Sequence, residues 1–262
     1  MSTVADIIGF VEASVGHRLH SDEGVQHGSA QTPVTRALVC WMATREALEE
    51  ARRTKAALVI GHESLYYPYD AVNRKDAPEG WQDWPVNRAR RSLLLDHGMT
   101  FVRLHGSVDE LCIFDDFAAK LGLGRAAVAH RLAKMYQIPP CTLGDLVERV
   151  KRSMGMGPLR VSAPKGLEQQ VSRVGLPWGG LGLFVNVAYQ QELLKLGCDV
   201  LIAGEACSYG FRFSAECGVP MIETSHEESE NPGLRRFCRI LAEAFPDLQV
   251  MFYEVTRPWQ WA

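Results

Sequence analysis

Three stretches of this sequence place an imidazole and a carboxylate at the end of an apolar run. "VIGHESLYYP" (59–68) brings His62 and Glu63 side by side, "FVRLHGSVDE" (101–110) brings His105 with Asp109 four residues on, and "VPMIETSHEESE" (219–230) brings His226 with Glu230 four residues on. Imidazole nitrogen and carboxylate oxygen are ligand types for Zn, Fe and Mn, and adjacent side chains at a strand end diverge enough to reach two ions. Two ions about 3.5–4 Å apart deprotonate water at neutral pH and clamp the oxygens of a phosphoryl or carbonyl group. Each pair alone reads more readily as a hydrogen-bonded surface pair, and Glu227 and Glu228 beside Glu230 as a solvated loop. Recurrence at three strand ends of one chain is what raises the metal reading.

The elements that must carry these residues alternate. "RALVCW" (36–41) reads as a strand, the stretch after Thr44 as a helix with Thr44 as its N-cap, and "ALVIG" (57–61) as a strand. A long loop from Tyr66 to Pro85 precedes a helix over 86–98, closed by Gly98, and a strand over 100–104. Helices are expected over 114–121 and over "AAVAHRLAKMY" (126–136), the latter broken by Pro139-Pro140. The next helix starts with a capping box at Thr142 and Asp145, and "MGMGP" (154–158) ends it in a turn or hinge. Strands near 159–163 and 170–176, the glycine-rich "PWGGLG" (177–182), a helix over 183–197 and a strand over 198–205 follow. A helix near 208–217, a strand over 219–224, a helix from about Leu234 to Phe245 and a strand over 248–255 complete the chain. Strands separated by helices predict an α/β fold with mostly parallel, helix-covered sheets, whose ligands gather at the carboxyl ends of strands.

Composition agrees with a folded enzyme-sized chain. At 262 residues and 47% hydrophobic it can bury a large core. A net charge of -3 with scattered basic residues gives no nucleic-acid or membrane surface, and "ARRTK" and "RARRS" read as solvated helix faces. Asp6 and Glu12 interrupt the N-terminal apolar stretch, and no segment reaches the roughly 20 apolar residues of a membrane span, so a cytoplasmic protein is expected. Seven widely spaced cysteines without a CxxC pair are expected to be reduced, buried and inert. "GGLG" lacks the Walker lysine and reads as a tight turn before it reads as a phosphate cradle.

At these residues the order and spacing resemble the Nif-three-like family of dinuclear metal-centre proteins, some of which carry the label GTP cyclohydrolase type two. Nearly the whole chain takes part. "GHES", "HGSVD", "AGE" and "SHEESE" match that family's His-His-Pro, His-Thr-Asn-Leu-Asp, Thr-Gly-Glu and Gly-His-x-x-Thr-Glu. "DEGV" (22–25) looks like its Asp-Asn-x-Gly-Leu, Asp115 and "LGL" (121–123) like its Asn-Asp and Leu-Gly-Leu, and "PWGGLG" like its Gly-Gly-x-Gly turn. The chain departs from the pattern at Glu63, Ser64, Gly106-Ser107 and around Tyr209, where the family carries His, Pro, Thr-Asn and His.

The resemblance implies two related three-layer α/β/α lobes with mixed sheets and exchanged C-terminal segments. Lobe one is about 1–125 plus a C-terminal segment, and lobe two about 126–225. It implies two divalent ions (Mn, Fe or Zn) held by His62, Glu63, Asp109, His226 and Glu230. His105 becomes a proton carrier or neighbouring group, or alternatively a structural hydrogen bond, and Glu205 a pocket residue or the partner of a basic group. The implied activity is metal-dependent hydrolysis of a small phosphorylated or heterocyclic compound, the alternative a non-catalytic regulatory or metal-handling protein. A homohexamer is implied as well, with Trp259 and Trp261 packing on a neighbouring subunit or on the chain's own surface. With Glu63 in place of His, the ligand set is oxygen-rich and more anionic, which suits Mn, Mg or Fe(II).

Overall fold

The computed structural model describes residues 1–260, and the expectation for Trp261 lies outside the described residues. The chain forms two units. The first comprises Met1–Ile113 with Gly233–Val255, and the second Phe114–Pro232 with the described tail from Thr256.

The first unit is built on a five-stranded mixed sheet in the order Gln249–Tyr253, Arg36–Cys40, Leu58–Gly61, Thr100–Arg103, Gly24–His27. The first three contacts are parallel and the last is antiparallel. Leu58–Gly61 is central because all four residues are buried and two are β-branched, a composition that suits a strand covered on both faces. Gly61 is required there, since a Cβ would stand 2.5 Å from Phe101 Cζ. Helix Arg45–Thr54 turns Ala47, Leu48 and Ala51 inward, and the Thr44 hydroxyl accepts the Ala47 N–H as its N-cap. Leu38, Leu48, Val59, Leu94 and Phe101 form the centre of this core.

The second unit holds a six-stranded mixed sheet in the order Val128–His130, Ala133–Thr142, Gln170–Gly175, Val200–Ala203, Met221–Glu223, Arg160–Ser162. Only the contacts of Val200–Ala203 with its two neighbours are parallel. Met135, Leu193, Leu201 and Met221 pack together beneath it. Helix Leu143–Met154 starts where expected, with the Thr142 hydroxyl accepting the Asp145 N–H.

Two helix expectations are corrected. The stretch 126–136 is not helical: it forms the hairpin of Val128–His130 with Ala133–Thr142. Cross-strand pairing overrides the local helical pattern, and Pro139-Pro140, which have no N–H to give, fall in an irregularity where the register with Gln170–Gly175 shifts. The last helix begins at His226, not near Leu234, and runs to Ala244 with Pro232 inside it.

Cys40, Cys112 and Cys198 are buried thiols, Cys40 being pushed up to about 12 by desolvation. Cys217 is exposed and Cys141, Cys207 and Cys238 are partly so, which corrects the expectation that all seven are buried. Among the described residues no helix is long and apolar enough to cross a membrane.

Candidate metal centre

In the first unit the end of strand Leu58–Gly61 is pinned by hydrogen bonds from the His62 and Glu63 N–H groups to Cys40 O (3.1 Å) and Trp41 O (2.7 Å). His62 Nδ1 lies 3.1 Å from Leu104 O. A carbonyl only accepts, so Nδ1 is the protonated nitrogen and Nε2 keeps its lone pair, the tautomer a metal ligand needs. That Nε2 lies 3.8 Å from Asp109 Oδ1. The His105 ring stands edge-on to His62 with centroids 4.8 Å apart, and His62, Glu63 and His105 each bring a donor atom within 4.8 Å of the others.

Residues to which sequence reasoning assigned no role hold this arrangement. Arg103 is fully buried and reaches Asp22 Oδ2 (3.1 Å), Asp70 Oδ1 (3.3 Å) and Glu63 Oε2 (3.7 Å). It also donates to His62 O (3.2 Å) and the Tyr69 hydroxyl (2.6 Å). The negative charge expected from Glu63 is therefore offset by a guanidinium within the same unit. The only signal for Arg103 in the sequence is a charged residue inside an otherwise apolar strand. Asp22 accepts from His105 Nδ1 at 2.9 Å, and Glu23 accepts from the N–H groups of His20, His105 and Ser107 and from the Ser107 hydroxyl. One carboxylate thus ties the 20–24 turn to the segment that carries His105 and Asp109.

The hydrogen bond from His105, aided by the charge of Arg103, holds the Asp22 carboxyl at about 2, below its ordinary 3.8. A carboxyl depressed in the folded state contributes stability that is present above the unfolded value and lost as pH falls through the folded one. The urea midpoint is expected to drop as pH falls from about 4 to about 2. Asp22→Asn should flatten that part of the profile, and an unchanged slope would refute the assignment.

In the second unit, Ser225 takes the left-handed backbone (φ 112°) between strand Met221–Glu223 and helix His226–Ala244, and this turn aims His226. His226 Nε2 and Glu230 Oε1, one helical turn apart, are separated by 3.4 Å. His226 Nδ1 lies 3.0 Å from Glu205 Oε2, and that bond lowers the Glu205 carboxyl below its ordinary range despite partial burial. As with His62, the partner of Nδ1 is acceptor-only, so Nε2 keeps its lone pair toward Glu230.

"GGLG" forms a tight turn, and the reason for its glycines lies in the same place. A Cβ at Gly179 (φ +50°) would overlap Glu230 Oε1 and stand 3.2 Å from His226 Nε2, while the Ser229 hydroxyl accepts the Gly179 N–H at 3.0 Å. Glu223 is committed to Arg160, and Tyr209 lies exposed on helix Ser208–Glu216, edge-on to Phe184.

The donor sets suit a divalent ion. Two ligand atoms on one ion, with bonds of about 2.0–2.2 Å, lie about 3–3.5 Å apart. The His226–Glu230 separation of 3.4 Å falls in this range, and the His62–Asp109 separation of 3.8 Å needs only a small contraction. Gly179→Ala is expected to displace Glu230 and weaken Mn(II) binding about 10–100-fold, the scale of losing a ligand's support. Calorimetry on protein whose circular dichroism matches wild type checks it, and unaltered affinity would show that Glu230 is not a ligand.

The sequence profile of Duf34/NIF3 (NGG1p interacting factor 3) matches residues 2–258. The protein NIF3 homolog of Schizosaccharomyces pombe (strain 972 / ATCC 24843) is 29% identical over 107 residues. That match spans 40% of this chain and 36% of the relative, so the chain aligns with about a third of that protein's length. A Bacillus cereus protein related to NIF3 superposes with a TM-score of 0.81 at 14% identity, covering 100% of this chain and 99% of its own. The hypothetical protein SA1388 of Staphylococcus aureus gives 0.80 at 15% identity, covering 99% of each chain. These structures share the fold, and the resemblance read from the motifs holds.

Proposed function

We propose that this chain, which belongs to the Duf34/NIF3 (NGG1p interacting factor 3) family, binds two divalent metal ions and hydrolyses a small phosphorylated or heterocyclic compound. The ligands in this reading are His62, Glu63, Asp109, His226 and Glu230. When bound, such ions supply Lewis acidity to a carbonyl or phosphoryl oxygen and make water more acidic.

The observation that favours catalysis over a purely regulatory metal protein is the Asp22–His105 pair. Asp22 accepts from His105 Nδ1 at 2.9 Å, so the ring's Nε2 is left to take and return a proton beside the His62 ring. A carboxylate that fixes an imidazole tautomer next to a metal ligand has a use in proton transfer that simple metal storage does not need. Glu205 orients His226 through Nδ1, and Arg103 holds the His62 carbonyl and neutralises Glu63, so the ligands are set before an ion arrives. The reading takes the working assembly to be a homohexamer.

The test is metal analysis of the purified protein joined to a hydrolase screen of phosphoesters and cyclic amides with Mn, Fe and Zn. Two equivalents of metal and metal-dependent turnover are expected, on particles that scatter light as a multiple of 29.2 kDa. Metal-loaded protein that turns over nothing across the screen supports the regulatory alternative instead.

A further inference from the structure

A second cluster of metal-competent side chains lies on the surface of the first unit, and the reading above does not use it. His17 and His20 sit in the turn after helix Val4–Val15, and Glu110 in the segment Asp109–Ile113. His17 Nε2 lies 2.9 Å from Glu110 Oε2 and His20 Nε2 lies 3.0 Å from Glu110 Oε1, so both carboxylate oxygens face an imidazole. The two rings are 5.0 Å apart, and the three donor atoms all fall within 4.8 Å of one another.

The tautomer of His17 bears on what belongs there. Its Nδ1 is 2.7 Å from Arg18 O, a group that only accepts, so Nδ1 is the donor. The neutral ring then turns a lone pair on Nε2 toward a carboxylate oxygen 2.9 Å away. In the metal-free chain a proton on His17 satisfies this contact, and an ion that replaces the proton meets, with the second imidazole 3.0 Å from the other oxygen, a three-point N,N,O set.

The cluster is held in place. Glu12 accepts from the Leu19 N–H and pairs with Arg18, Glu23 accepts the His20 N–H at 2.8 Å, and the His20 ring lies against Gly106, where a Cβ would stand 2.8 Å from its Cδ2. The side chains of His17, His20 and Glu110 remain 38%, 43% and 31% exposed, so an ion can enter from solvent and keep water in its remaining positions.

We propose that His17, His20 and Glu110 form a solvent-facing site for one divalent transition metal of the zinc, nickel or copper class, independent of the centre proposed above. An imidazole-rich set with one carboxylate separates it from the oxygen-rich ligands His62, Glu63, Asp109, His226 and Glu230, so the two should differ in metal preference.

Calorimetric titration of the metal-free chain with Zn(II), and electron paramagnetic resonance of the chain with one equivalent of Cu(II), test this. Wild type is expected to bind one more equivalent of Zn(II) than His17→Ala/His20→Ala, and its Cu(II) spectrum to show coupling to two imidazole nitrogens that the double variant lacks. Glu110→Gln should weaken that equivalent at least about 10-fold. His62→Ala and His226→Ala should retain it, which separates failure of this site from failure of the other. If the alanine pair lowers the folded fraction, His17→Gln/His20→Asn is titrated in its place. Equal Zn(II) uptake and an unchanged Cu(II) spectrum in a folded double variant would overturn the proposal.

Discussion

His105→Ala is expected to lower kcat of the metal-loaded chain by about 10²–10⁴-fold, the usual contribution of a positioned acid–base group. The ring is only partly exposed, its Nδ1 is occupied by Asp22, and it packs edge-on against His62. Removing it takes away the proposed proton carrier and leaves the donor atoms of His62 and Asp109 where they are. Metal content should therefore stay at its wild-type value while turnover falls. Asp22→Asn separates the two parts of the pair: the amide can present its N–H to Nδ1 and favour the wrong tautomer, so kcat should fall although the imidazole is retained. Loss of bound metal in His105→Ala, matching its loss of turnover, would recast His105 as a ligand or a prop for one.

Arg103→Met should destabilise the fold by about 3–5 kcal/mol, the cost of removing one partner from a buried ionic cluster. The guanidinium is buried among Asp22, Asp70 and Glu63 at 3.1, 3.3 and 3.7 Å. Without it these carboxylates repel one another in a partly buried site that solvent screens incompletely, and the His62 carbonyl and Tyr69 hydroxyl lose a donor. Arg103→Lys keeps the charge but not the fork that reaches several acceptors at once, so it should recover only part of the loss. Urea unfolding followed by circular dichroism measures both variants, and a change below about 1 kcal/mol in Arg103→Met would mean that solvent, not Arg103, balances these charges.

The strand ends that carry His62 and His105 were legible because each follows a short apolar run. "LVIG" and "TFVR" are strands since their residues are buried on both sides, and a polar residue just after such a run sits at the carboxyl end of a strand. The cage behind the candidate ligands was not legible. Asp22, Asp70 and Arg103 meet through contacts between distant parts of the chain, which local pattern does not carry. The His226 helix was misread because Asn231-Pro232-Gly233 looks like a break. In the fold Pro232 stays helical, and Gly233 gives the helix room against the backbone of Ile113. The hairpin at 128–142 was misread for the converse reason: its prolines ended a helical pattern that strand pairing had already replaced.

Glu23 has a consequence for how this part of the molecule breathes. The amides of His20, His105 and Ser107 share its carboxylate as acceptor, although His20 lies far in sequence from the other two. Amide hydrogens in a sheet ladder can exchange with solvent one rung at a time, whereas these three wait for a single side chain to swing away. Their exchange is governed by one opening constant. The turn that carries His17 and His20 and the seat of His105 therefore share a lifetime, and deuterium reaches both on the same clock.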